Sequence, residues 1–440
     1  MSTDSTAAQA ETAADAEPAP ASEAPPPEPP QAPLLAEPAD GVPAPIETAE
    51  ALAALVVRMA AATGPVAVDA ERASGYRYSQ RAYLVQLRRA GAGSALIDPI
   101  AQPALTPLNA ALADAEWILH AANQDLPCLA EVGLYPARLF DTELAGRLLG
   151  VERVALGTMV EQHLGVRLEK GHSAADWSTR PLPHDWLVYA ALDVELLIQL
   201  RDVLAEQLRS AGKLEWAEQE FEAVRLAPPA PPRVDPWRRT SGIHGVRNRR
   251  QLAVVRSLWY ARDEYAAQRD VAPGRVLPDS AIIDAAKALP KQAADLAALR
   301  VFGGPRQKRQ LARWFGAVDA ALQLPDHELP PTTGGGGDGM PAPSRWRDRD
   351  PIAADRLARA REVVARLAEQ HSVLAQNLLA SDVVRRLSWQ PPAPLDETGV
   401  REQMAEYGAR PWQIGLTAPG LTAALAEKTP DLDATTVPTT

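Results

Sequence analysis

Hydrophobic and polar positions change their period several times along the chain, and each change marks a boundary. Residues 49–62, rich in alanine and leucine, follow a capping side chain, Thr48, and stop at Gly64 and Pro65, which predicts a helix. Three short apolar runs follow, 66–70, 83–88 and 95–97, separated by glycine-bearing turns, and these predict an antiparallel meander. Helical patterning then covers 104–114, 126–132, 141–149 and 153–164, with one short strand at 117–120. A meander followed by alternating helix and strand predicts an α/β domain, a mixed sheet flanked by helices. A long polar loop, 169–183, precedes helices over 184–208 and 213–225; loops of that length in compact domains are more often functional than not.

Beyond the proline run 227–232 the pattern is helical only. Breaks are expected at Pro273-Gly274, Pro278, Pro290 and Gly303-Gly304, and a second boundary at four consecutive glycines, 334–337. The stretch 276–280 (VLPDS) lines up with 378–382 (LLASD), each after a charged helix, which suggests two divergent copies of one helical unit. Residues 1–45 hold eleven prolines among alanines and acids, too few apolar side chains to offset the entropy of ordering, and are expected to be disordered.

Composition sharpens this division. At 440 residues the chain exceeds one hydrophobic core. A single cysteine, Cys128, excludes internal disulfides and zinc clusters of several cysteines, and it reads as a buried small hydrophobe. No apolar run is long enough to cross a bilayer, and the first residues lack a secretory pattern, so a cytoplasmic protein without a membrane partner is expected. The net charge of -11 is mostly the first 50 residues, which carry ten acids and no Lys or Arg. Residues 231–260 instead gather seven arginines, among them Arg247, Arg249 and Arg250, against one acid, Asp235. Such a cluster attracts phosphate whatever the total charge.

The run 66–71 (VAVDAE) ends in Asp69 and Glu71, two residues apart and therefore on one face of a strand. Further acids stand at Asp125, in HAANQD (120–125), and Asp193, in YAALD (189–193). Two divalent ions roughly 3.5–4 Å apart cleave phosphodiesters, and Mg²⁺ or Mn²⁺ prefers carboxylate oxygens, so these four acids suffice to hold such a pair. Tyr189 lies one helical turn from Asp193; a phenol with an ordinary pKa near 10 is a poor base, and orienting the attacking water is its expected role. Taken singly, each motif has a structural alternative. Asp125 also suits a helix N-cap ahead of Pro127, Tyr189 and Asp193 an exposed helical pair, and Asp141 a cap for the next helix.

The ordered set resembles the DEDD superfamily of 3′–5′ exonucleases, in the subgroup whose third motif is Tyr-x-x-x-Asp. More closely, residues 64–220 resemble the bacterial ribonuclease D family through VAVDAERASGYRYSQRAYLVQLRR (66–89), ILHAANQDLPCL (118–129), FDTELAGRLLG (140–150), KGHSAADWSTRPLP (170–183) and YAALDVELL (189–197). The resemblance implies a ribonuclease H-like fold and two-metal trimming of single-stranded RNA 3′ ends, notably of tRNA precursors. By motif, Asp69, Glu71, Asp125 and Asp193 correspond to the four metal-binding acids and Tyr189 to the water-orienting tyrosine. Residues 243–320 resemble, through LWYARDEYAAQRDVAPGRVLPDSAIIDAAKALP (258–290), the helicase-and-RNase-D C-terminal (HRDC) domain, a small helical nucleic-acid-binding module.

The expected organisation is a tail, 1–45; an exonuclease domain, 46–226; a Pro/Arg linker, 227–242; an HRDC domain, 243–325; a Gly/Pro linker, 326–350; a second HRDC-like domain, 351–428; and a loose end, 429–440. The fold class is thus α/β followed by two small all-α domains. Lys170, His172 and Trp177 of the long loop, His120, and Arg247, Arg249 and Arg250 are candidate substrate contacts, a cation to hold a phosphate and an aromatic to stack a base. The same chemistry on DNA is an alternative, because nothing in the sequence reads a 2′-hydroxyl. A non-catalytic RNA-binding scaffold is opposed by the complete set of acids, and a helicase by the lack of a Gly-x-x-x-x-Gly-Lys-Ser/Thr loop. A monomer is expected.

Overall fold

The computed structural model describes residues 32–102, 104–169, 171–332 and 340–427. Most of the expected tail and the whole loose end, 429–440, lie outside them. A two-residue strand β1 (Leu34–Leu35) precedes the five strands of the main sheet: β2 (Val66–Arg72), β3 (Ala82–Arg89), β4 (Gly93–Ile97), β5 (Glu116–Leu119) and β6 (Arg138–Asp141). Their order is β4-β3-β2-β5-β6. The meander β2-β3-β4 is antiparallel and β5 and β6 add parallel strands beside β2, which makes the expected mixed sheet. Val66, Val68, Val85, Leu87, Ile97, Trp117 and Leu119 are buried, as strands covered on both faces require. Strand β2 does not end at its acids, as the apolar run suggested, but runs through them.

Among the described residues this half holds the α-helices α1 (Ala49–Ala61), α2 (Thr106–Ala111), α3 (Leu126–Glu131), α4 (Thr142–Leu148), α5 (Leu156–Leu164), α6 (His184–Glu195), α7 (Leu197–Ser210) and α8 (Leu214–Arg225). The helix expected over 184–208 is two, broken at Leu196 (φ -108, ψ 3) beside the buried Glu195, which accepts from Ala39 N and pairs with Arg88. Part of the expected disordered tail is built into the domain. Strand β1 pairs with β7 (Arg167–Leu168) and Asp40 pairs with Arg88, while Ile46, just past the tail, bridges Ile97. Partners far along the chain supply the ordering that local composition does not.

The next unit comprises α9 (Arg249–Arg269), α10 (Pro273–Val276), α11 (Asp279–Ala288), α12 (Ala293–Ala297), α13 (Pro305–Lys308) and α14 (Leu311–Gln323). Its core includes Trp237 and Leu329, so both expected linkers give up residues to it. The last unit comprises α15 (Trp346–Arg349), α16 (Pro351–Gln370), α17 (Ala375–Leu378), α18 (Ser381–Trp389), α19 (Glu397–Glu406) and α20 (Pro411–Ala426). Here Trp346, expected in the linker, is fully buried. The long helix, short helix and following helix α9-α10-α11 recur in the same order as α16-α17-α18. Leu277 and Leu379 join the latter two of each set with nearly equal torsions, φ -149, ψ 115 and φ -151, ψ 129.

Candidate active site

Alternation along β2 puts Asp69 and Glu71 on one face of the sheet, opposite Gln86 and Leu84 of β3. Helix α6 packs against β2, β3 and β4 and brings Tyr189 and Asp193. Asp69, Glu71 and Asp193 each offer a carboxylate oxygen, all within 4.8 Å of one another. Asp125 reaches the same cleft, of about 360 Å³, from the end of β5. It stands at the N-cap position of α3, yet its side chain caps nothing; it lies 3.6 Å from the Arg72 guanidinium instead.

The turn that presents Asp125 is held by the end of β6. Ala121 adopts a left-handed conformation (φ 61, ψ 52), which costs a non-glycine residue about 1 kcal/mol or more and persists only where its surroundings impose it. Asp141 imposes it by accepting from Ala121 N and Ala122 N at 3.2 and 2.8 Å while also capping α4 through Glu143 N and Leu144 N. His120 is fixed between Thr142 Oγ1 at 2.9 Å and the backbone of Val154. Burial lowers its pKa to about 4, so it lines the cleft as a neutral ring and cannot serve as a cation for phosphate at neutral pH.

Burial is the main cause that raises every acid of the cluster, and repulsion from neighbouring acids adds to it at Glu71, Asp125 and Asp193. Glu71 is pushed up to about 10 and Asp125 to about 8, and Asp69 and Asp193 also rise. Ionised together in so dry a cleft, the four carboxylates need cations. Their hard oxygen donors fit Mg²⁺ or Mn²⁺. The Tyr189 phenol hydrogen-bonds Asp193, and burial followed by the charges of Asp193 and Glu71 keeps it protonated.

The structure redistributes the remaining expected contacts. Lys170 lies outside the described residues. His172 pairs with Asp185 at 3.3 Å and packs edge-on to Tyr189, while Ser173 lines the cleft. Trp177 is fully buried against Trp186 and Tyr189 and is not available to stack a base; it backs the tyrosine. The loop folds inward because Arg180 pairs with the buried Asp98 at 2.6 and 2.9 Å and donates to Tyr83 O and Trp177 O. Arg249 and Arg250 are likewise committed. Arg249 donates to carbonyls of Asp326, Leu329 and Pro330, and Arg250 to those of Ala321, Leu322 and Leu324 and to the Asp326 carboxylate, while Arg247 stays exposed.

Sequence reasoning missed Arg72. Strict alternation would turn it away from Glu71's face, but the ladder slips between Glu71 and Arg72, and such a bulge re-aims side chains. Asp141's hold on the Asp125 turn was also invisible, since only its capping role is local.

Residues 43–209 match the family described as 3′–5′ exonuclease, residues 251–318 the HRDC domain, and residues 339–425 the 3′ to 5′ exonuclease C-terminal domain. Fold and matches together define a 3′–5′ exonuclease class. A ribonuclease D from Acidiphilium cryptum is 36% identical over 297 residues, covering 65% of this chain and 74% of the relative. A crystal structure of a protein from Bifidobacterium adolescentis is 39% identical (TM-score 0.82), covering 90% of this chain and 100% of that one. Escherichia coli RNase D is 26% identical (TM-score 0.62), covering 87% and 98%. The chain belongs to the ribonuclease D family and is a 3′–5′ exoribonuclease.

Proposed function

We infer that the enzyme trims single-stranded RNA 3′ ends, those of tRNA precursors foremost, with two divalent ions, Mg²⁺ or Mn²⁺, held by Asp69, Glu71, Asp125 and Asp193. The observation that carries this is the convergence of acids from β2, the β5–α3 turn and α6 on one cleft. When bound, such ions activate water and stabilise the departing oxygen. Tyr189, protonated and backed by Trp177, is placed to hold the attacking water by hydrogen bonding rather than to take its proton. The E. coli relative is described as an exoribonuclease involved in structured RNA processing, which supports tRNA precursors as the substrate class. All four acids come from one chain, in keeping with a monomer, and a cytoplasmic site of action follows from the substrate. The recurrence of α9-α10-α11 as α16-α17-α18 supports the last unit as a second HRDC-like copy.

Matched RNA and DNA strands with free and blocked 3′ ends test the function. Stepwise, Mg²⁺-dependent shortening of RNA that a 3′ block prevents is expected, with faster turnover of a 3′-extended tRNA than of an unstructured strand. Internal cleavage, or equal loss of the blocked strand, would overturn it.

A further inference from the structure

A side groove of about 290 Å³ runs off the acidic cleft. Glu71, Arg72, Ser74 and Gly75 line one wall and Ser173–Ala175 the other. Glu71, Arg72 and Ser173 line both the groove and the cleft, so the two spaces are continuous. Arg72 lines it, and a second arginine touches its wall at Gly75. At the inner end Arg72 is the cation of the acid cluster, yet it is held loosely, 3.6 Å from an Asp125 oxygen and 3.5 Å from Gln124 Oε1. A bidentate pair would sit nearer 2.8 Å. At the outer end Arg275, from α10 of the next unit, donates through Nε to Gly75 O at 2.8 Å and stacks on Tyr76 with its guanidinium carbon 3.9 Å from the ring centre.

The two units are locked together at this rim. Ala272 N donates to Tyr76 O, the Tyr78 hydroxyl to Asp263, and Ser79 N to Asp270. Arg275 is therefore fixed against Gly75 of the groove wall by the docking itself, while its side chain remains exposed. A stacked guanidinium with exposed N–H groups loses little entropy when it meets a phosphate. Divalent ions held by Asp69, Glu71, Asp125 and Asp193 would offset the carboxylate charge that draws Arg72 inward and would free it for a nearer anion.

We propose that Arg72 and Arg275 clamp successive phosphates of the RNA strand upstream of the scissile bond, so that the substrate leaves the cleft along the side groove and crosses the domain junction. The clamp rests on the exoribonuclease function above. Its ligand is the sugar–phosphate backbone, so it sets affinity and register rather than base preference.

The test uses the full chain and its Arg72→Gln, Arg275→Gln and double variants, with Arg58→Gln, on the exposed face of α1, as a control. Binding of a single-stranded oligoribonucleotide with a non-hydrolysable 3′-terminal linkage is measured in Mg²⁺ across a salt series, and turnover of the ordinary strand in Mg²⁺. Each groove variant should flatten the log–log salt slope by about 0.7, the single-strand value per phosphate contact, and raise KM about tenfold with kcat within about twofold. The control should match wild type. A dinucleotide, too short to reach the rim, should be indifferent to Arg275→Gln. Unchanged salt slopes would overturn the clamp. So would an Arg72→Gln effect confined to kcat and to Mn²⁺ affinity, because that pattern means Arg72 only orders Asp125. If wild type shows no Mg²⁺-dependent shortening, the function itself fails, a result separable from failure of the clamp.

Discussion

At the scale of single residues, the acids were legible because their spacing is local, Asp69 and Glu71 by the period of a strand and Tyr189 and Asp193 by that of a helix. Trp177 was not, since its burial depends on Arg180 meeting Asp98, a residue some 80 positions away. Tyr189→Phe should keep the ring packing against Trp177 and lose the hydroxyl. Turnover is expected to fall about ten- to a hundredfold with little change in KM; unaltered turnover would remove the tyrosine from the chemistry. The raised carboxylates have a second consequence. Glu71 at about 10 and Asp125 at about 8 bind protons in the fold that an unfolded chain, with carboxyl values near 4, releases. Stability of the metal-free protein therefore falls as pH rises through this range. Its melting temperature should drop between about pH 6 and about pH 9, and added Mg²⁺ should raise it more at the higher pH. A flat profile would show that the acids are not held in so dry a cleft.

At the scale of elements, the meander and most helices could be read from period and punctuation, because strands with two covered faces and capped helices carry their own signals. Strand β6 and the pairing of β1 with β7 could not, since each depends on a partner remote in sequence. The loop 169–183 is the instructive case: its length and polar composition suggested a loop that contacts substrate through Lys170, His172 and Trp177, and the Arg180–Asp98 pair turns Trp177 inward. Burial alone would raise Asp98, but hydrogen bonds from Arg180 and from the backbone of Ile100 and Ala101 hold it below the ordinary carboxylate range. With its pKa depressed, this contribution is complete above the unfolded value and is lost as pH falls through the folded one. Asp98→Asn leaves the guanidinium facing a neutral group and should destabilise the protein by about 3 kcal/mol at neutral pH. That deficit should shrink in acid, as denaturant titrations at several pH values would show. A deficit that does not depend on pH would mean that the pair is not what orders the loop.

At the scale of the whole molecule, composition marked the junctions between units but could not show how the units meet. The last helical unit shares one continuous core with the catalytic half. Trp216 of α8 and Trp412 of α20 stack at 4.8 Å and 11°, Trp412 Nε1 donates to Glu220, and Lys213 Nζ bridges Leu148 O and Ser372 O. Gly150 completes the seam: its φ of +81 and a Ser372 oxygen 2.7 Å from where a Cβ would lie exclude other residues there. Trp412→Ala should cost about 3 kcal/mol in thermal or denaturant unfolding and leave kcat on a short RNA unchanged. An intact unfolding transition would show that the units are joined by their linker alone. The central claim, that the acids of β2 and α6 hold the ions that cut RNA from its 3′ end, is tested most directly by Asp69→Asn. The assay follows a 5′-labelled single strand in Mg²⁺ beside RNA binding measured in EDTA. The predicted result is loss of the 3′-shortening ladder by about a thousandfold or more with binding retained; a ladder that persists at near wild-type rate would contradict the claim.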